Sequence, residues 1–190
     1  MDLPFISEQH FKSQNYSSNK ISKAEYDNCT FEDCDFSNSD ISNNVFLECT
    51  FINCNLSNCN IAHTSFNHVD FIDCKLTGVQ FNTCNAFLLT FSFNNCYLEL
   101  ASFQDLKIPN TRFNNCIMHQ TDFSNTNLSK STLNNCDVKS AIFENTNLES
   151  SDLSTAYNYN IHPENNKITH AKFSKEHIIG LLKSYKITIE

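Results

Sequence analysis

Residues 29–43 read Cys29-Thr30-Phe31-Glu32-Asp33-Cys34-Asp35-Phe36-Ser37-Asn38-Ser39-Asp40-Ile41-Ser42-Asn43, and every fifth residue, Phe31, Phe36 and Ile41, is large and apolar. The beat runs back through Tyr26, Ile21 and Tyr16 to Phe11. It runs forward through Phe46, Phe51, Leu56, Ile61, Phe66, Phe71 and Leu76 to Phe81. It resumes two residues out of phase at Leu88 and continues, Phe93, Leu98, Phe103 and onward, to Leu153. In a chain that is 40% apolar, an unbroken series of this length arises by chance with a probability of roughly 10⁻¹¹ to 10⁻¹². A period of five fits neither a helix nor a strand, so each short unit must turn a corner.

Two residues before each centre stands a small residue, as at Ala24, Cys29, Cys34, Ser39, Cys49, Cys54, Thr64, Cys74, Ala101 and Thr121. Alternate residues of an extended segment point the same way, so a large and a small side chain share each inward-facing wall. Two residues after the centre, Asn recurs, at Asn38, Asn43, Asn53, Asn58, Asn95, Asn110, Asn115, Asn125, Asn135 and Asn145. Asn tolerates left-handed turn conformations, which explains how a chain that turns so often carries only two Gly.

Units such as Cys34-Asp35-Phe36-Ser37-Asn38, Thr121-Asp122-Phe123-Ser124-Asn125 and Ser151-Asp152-Leu153-Ser154-Thr155 resemble the pentapeptide-repeat family motif of small residue, Asp or Asn, Leu or Phe, and two polar residues. The resemblance implies an all-β fold, a right-handed quadrilateral β-helix with four units per coil and about seven coils, closed by a short C-terminal α-helix. Residues twenty apart should then stack. Phe31, Phe51, Phe71, Phe93 and Phe113 fall in one file, counting across the phase break, and Cys34, Cys54, Cys74, Cys96, Cys116 and Cys136 in another.

The expected organisation is an N-terminal cap or leading strand over 1–20, the solenoid over 21–155 with a two-residue phase break near 82–88, and a tail over 156–190. Phe87 and Phe91 at the break carry more apolar mass than one wall can face inward, so exposed aromatics are expected there. In the tail, Ser174 suits an N-cap, Ile178, Ile179, Leu181 and Leu182 give a short helix an apolar face, and residues 186–190 read as a terminal strand. Neither a bilayer-spanning apolar run nor a signal peptide is legible, so a cytoplasmic location is expected. All ten cysteines occupy the small inward slot, which predicts free thiols acting as small hydrophobes and no metal. His63 and His68 fall in outward slots. No catalytic motif is present, so neither enzyme activity nor a cofactor is expected.

Charge is the informative remainder. Residues 24–106 hold eleven carboxylates against one base, Lys75, while the rest of the chain sums to +2, giving the overall −8. With the interior slots filled by apolar and small residues, Asp27, Glu32, Asp33, Asp35, Asp40, Glu48, Asp70, Asp73, Glu99 and Asp105 are expected to form an acidic outer surface that repels nucleic acid and attracts basic clefts. The tail containing Ile161-His162-Pro163 and Lys172-Phe173-Ser174 resembles that of the quinolone-resistance (Qnr) and microcin-immunity (McbG-like) group. This resemblance implies a duplex-DNA mimic that binds a type II topoisomerase, DNA gyrase, and protects it from drugs or toxins. It also implies a homodimer formed through the tail, with Phe173, Ile178, Ile179, Leu181, Leu182 and Tyr185 as its interface residues. The alternative is an interaction scaffold or bacterial effector of the same family with no topoisomerase role.

Overall fold

The computed structural model describes residues 3–188. Its chain winds as a β-solenoid whose four walls are ladders of parallel pairing between residues twenty apart, or twenty-two across the phase break. Wall one stacks β1 (Phe5–Ser7), β3 (Glu25–Asp27), β5 (Val45–Leu47) and β7 (Ser65–Asn67), and resumes beyond the phase break as bridges Lys107–Asn127, Asn127–Asn147 and Asn147–Lys167. Wall two is continuous through nine strands: β2 (His10–Lys12), β4 (Thr30–Glu32), β6 (Thr50–Ile52), β8 (Val69–Ile72), β9 (Phe91–Asn94), β10 (Arg112–Asn114), β11 (Thr132–Asn134), β12 (Asp152–Leu153) and β13 (Lys172–Phe173). Walls three and four are ladders of single bridges, Asn15–Asp35 through Asp137–Tyr157 and Asp40–Asn60 through Asp122–Ile142.

Nine stacked strands span about eight coils rather than the seven expected. The surplus comes from both ends. Residues 5–12 pair with the second coil strand for strand, and Lys172–Phe173 pair with Asp152–Leu153 although the small-large code has faded between them.

The interior is a stack of rings. Phe11, Phe31, Phe51, Phe71, Phe93 and Phe113 lie with successive centroids 4.8–5.3 Å apart and planes within 19° of parallel. Adjacent walls meet edge to face, as in Phe46–Phe51 at 5.3 Å and 69°, the other arrangement that the ring quadrupole favours. Small slots are filled by buried Cys, Thr, Ser and Ala. They share a bond: Thr64, Thr121, Thr126 and Thr146 each donate Oγ1 to the carbonyl 23 residues earlier at 2.8 Å, and the Cys54, Cys74 and Cys96 thiols point at the equivalent carbonyls at 3.3–3.4 Å. All ten cysteines are free and buried. The corners are left-handed, and all ten Asn expected there have φ between +50° and +62°.

Four expectations change. At the phase break, Phe87 is exposed, but Phe91 is buried, its ring 5.4 Å from Phe81 and 5.1 Å from Phe93. The loop over 85–90 takes the place of a wall-one strand, and Phe91 fills the space that leaves. Leu88, expected as the inward centre, turns out with φ +55°, and Leu89 is buried in its stead. Among the described residues the tail forms no α-helix but three 3₁₀ turns, Pro163–Asn165 and, where the helix was expected, Ile178–Leu181 and Lys183–Tyr185. Phe173 is held in the ladder and the Gly180 carbonyl accepts from the Ile161 N–H at 3.0 Å. Between those ties too few residues remain free to nucleate a helix, and the tighter 3₁₀ turn serves. Lys186 in the left-handed region ends the last turn, so no strand forms over 186–188, and 189–190 lie outside the described residues.

Candidate functional site

The solenoid sends its carboxylates outward, and all ten expected surface acids are exposed or half-buried. It does not gather them in one strip. Asp27 and Glu48 lie on wall one, Glu32, Asp33, Asp70 and Asp73 on wall two, Asp35 and Glu99 on wall three, Asp40 and Asp105 on wall four.

Many of them hold the coil together. In the slot before the centre, Asp35 accepts the Ser37 N–H at 2.9 Å and Asp40 that of Ser42 at 3.0 Å, an Asx turn that folds the corner. Asn55 and Asn60 do the same one coil later. Hydrogen bonds from Ser37, its N–H foremost, and from Ser42, its side chain foremost, hold the Asp35 and Asp40 carboxyls below the usual carboxylate range. Others are rungs of vertical amide-carboxylate ladders, with Asn53 donating to Asp33 at 2.8 Å, Asn95 to Asp73 at 3.0 Å and Asn125 to Asp105 at 2.9 Å. Glu32 is paired with Lys12 at 2.7 Å and His10 at 2.8 Å, and the Lys12 hydrogen bond lowers its pKa. By contrast, Glu25, Asp27 and Glu48 on wall one have no ion-pair partner among the described residues.

Sorted around the rod rather than along it, the charge is one-sided. Over residues 3–84, the units of walls one and two carry eight carboxylates, Glu8 and Glu25 joining the expected set, against Lys12. Walls three and four carry Asp35 and Asp40 against Lys20, Lys23 and Lys75. Two adjoining walls of the N-terminal half therefore form the acidic side. Glu8 escaped the chain-order count because it lies ahead of the acidic window, although its spacing of twenty residues from Asn28 and forty from Glu48 placed it in that file.

In the tail, the expected interface residues part company. Leu181 is buried, Phe173 and Leu182 are half-buried, and the Phe173 ring lies 5.5 Å from Tyr159. Ile178, Ile179 and Tyr185 stay 42–45% exposed, together with Ile187 at 56%. The Tyr185 hydroxyl donates to Glu164 at 3.1 Å. The tail thus closes the last coil with one face and leaves an apolar rim on the other. His63 and His68 are exposed, and no helix among the described residues is long and apolar enough to cross a membrane.

Family models of the pentapeptide repeat region match residues 24–103, and of pentapeptide repeats residues 121–156. No curated protein matches the sequence. Among solved structures, a trypsin-treated variant of QnrB1, a plasmid-mediated fluoroquinolone resistance protein, superposes with a TM-score of 0.66 at 16% identity, over 98% of this chain and 100% of that one. Full-length QnrB1 gives 0.64 at 15% identity, over 96% and 100%.

Proposed function

The chain belongs to the pentapeptide-repeat family, and on that premise we propose that it is a non-enzymatic mimic of duplex DNA that docks on a type II topoisomerase, DNA gyrase, and shields it from a quinolone or a toxin. The observation that carries this reading is linear charge density. The net −10 of residues 24–106 is spread over four coils, so at strand spacing the rod bears one negative charge per about 2 Å of its axis. Duplex DNA bears one per about 1.7 Å. The ring-stacked core fixes those charges before any encounter, so docking pays little ordering entropy, and attraction to a basic groove raises the on-rate. Walls one and two are the docking side, and the exposed rim of Ile178, Ile179 and Tyr185 joins two copies at their C-terminal ends. The fold shared with a fluoroquinolone resistance protein accords with this reading.

Supercoiling by purified gyrase, with and without a fluoroquinolone, tests it. Inhibition or protection that weakens as salt rises is the expected result. No effect on supercoiling, no protection and no binding at low salt would overturn the reading. A topoisomerase-independent interaction scaffold is favoured by one observation, the Phe87–Leu88 loop tip, whose side chains are 74% and 60% exposed. In that case, replacing both by Ser abolishes partner capture while neutralising the acidic walls leaves it intact.

A further inference from the structure

Wall two carries a second kind of surface on coils four to seven. A shallow groove of about 540 Å³ lies there and joins a smaller one of about 280 Å³ at Asp70, Ser92 and Arg112. Thr90, at the foot of the phase-break loop, stands at the rim of the smaller one. Along the floor run Asn94, Asn114 and Asn134, one per coil. Unlike the corner asparagines, these three have no left-handed φ to account for them. The same slot in other coils of the wall holds Lys12, Glu32, Ile52, Ile72 and Ser154, so the fold accepts almost anything there. Asn134 donates to Asn114 at 3.0 Å, and the Asn94 amide is unengaged among the described residues. Arg112 is the chain's one arginine. Though the rod is rich in carboxylates, it has no ion-pair partner among the described residues.

A side-chain amide offers an acceptor and two donors in one plane, and a guanidinium offers five donors and no acceptor. A pair of neighbouring hydroxyls presents the matching mixture. A file of amides repeating at the strand spacing of about 4.8 Å meets a polymer whose hydroxyl pairs also repeat along its length. The net charge of −8 disfavours polyanions at long range and leaves an uncharged polyol unaffected. We propose that this groove binds a neutral glycan chain laid along the rod, with Asn94, Asn114 and Asn134 each engaging hydroxyls of successive sugar units and Arg112 donating to oxygens beside them.

The test is a titration of the isotope-labelled full chain with neutral gluco- and chito-oligosaccharides from dimer to hexamer, followed by side-chain amide and guanidinium resonances. The expected result is shifts confined to Asn94, Asn114, Asn134 and Arg112, with affinity rising with chain length. Replacing Asn94 by Ala should weaken binding about fivefold, the loss of one hydrogen bond, and Arg112→Ala by more, both with an unchanged melting temperature. Absence of shifts with every neutral oligomer at millimolar concentration overturns the proposal. So does binding of uronate oligomers alone, or affinity indifferent to chain length or to Arg112→Ala.

Discussion

Asp40 shows what the Asp or Asn before each centre is for. Its carboxylate accepts the Ser42 N–H at 3.0 Å and an amide proton of Asn60 at 3.0 Å, one coil up. Both bonds need an oxygen acceptor and neither needs a charge. Asp40→Asn should therefore keep both bonds and lose at pH 7 only what the charge adds to them, as Asn60 in the same slot already serves Ala62 at 3.1 Å, whereas Asp40→Ala should cost about 1 kcal/mol. The Asp35 and Asp40 carboxyls titrate lower in the fold than in the unfolded chain. Their charged-state contribution is thus present above the ordinary carboxylate range and is lost as pH falls below about 4. Urea midpoints at pH 7 and pH 3 check both statements: the acid-induced decline should be shallower in the Asp35→Asn, Asp40→Asn double variant. Gly180 is a different kind of requirement. A Cβ there would stand 2.3 Å from the Tyr159 ring and 2.5 Å from its carbonyl oxygen, and backbone cannot yield as a side-chain tip can. Gly180→Ala should destabilise docking of the tail by about 1–3 kcal/mol, seen as faster proteolysis after residue 173 while the coils melt at an unchanged temperature.

At the scale of one coil, stability resides in the column of rings. Phe51 is fully buried, stacked on Phe31 at 4.8 Å and Phe71 at 5.2 Å and touching Phe36 and Phe46 edge-on. Phe51→Ala leaves a cavity that rigid neighbouring coils cannot close, so a loss of about 3–5 kcal/mol is expected in chemical denaturation. The thiols answer to burial too, which pushes Cys34 up to about 11 and Cys49 up to about 12. Because all ten thiols are buried, none should react with a disulfide reagent in the native rod, and all ten should react in denaturant. The walls were legible because each centre and its small partner contact only neighbours five and twenty residues away, a local code that sequence displays directly. The code lapses where packing decides. Whether Leu88 or Leu89 turns inward depends on how the 85–90 loop crosses wall one, and the last coil keeps its ladder through Lys172–Phe173 without the small-large pattern. The candidate site was half legible. Its acids could be counted, but Asx turns and amide-carboxylate rungs depend on side-chain geometry that spacing does not reveal.

For the rod as a whole, arrangement around the axis matters as much as charge along it. A groove built for duplex DNA meets one side of its ligand closely, and the eight carboxylates on walls one and two of the N-terminal half would face it together. Those on walls three and four, balanced by Lys20, Lys23 and Lys75, would face solvent. Two variants with equal changes in net charge separate this arrangement from mere acidity. One replaces Glu25 and Glu48 on wall one by Gln; the other replaces Glu99 on wall three by Gln and Asp105 on wall four by Asn. If wall one docks, the first variant should bind gyrase at least about tenfold more weakly, roughly 1.4 kcal/mol, and lose about two units of salt slope if each carboxylate meets one base. The second should change both quantities far less, because its two charges lie on other walls. Glu25 and Glu48 have no ion-pair partner among the described residues, so their loss should leave the melting temperature in place and restrict the effect to binding. Equal weakening in both variants would mean that the partner senses only total charge, and that the one-sided arrangement has no part in docking.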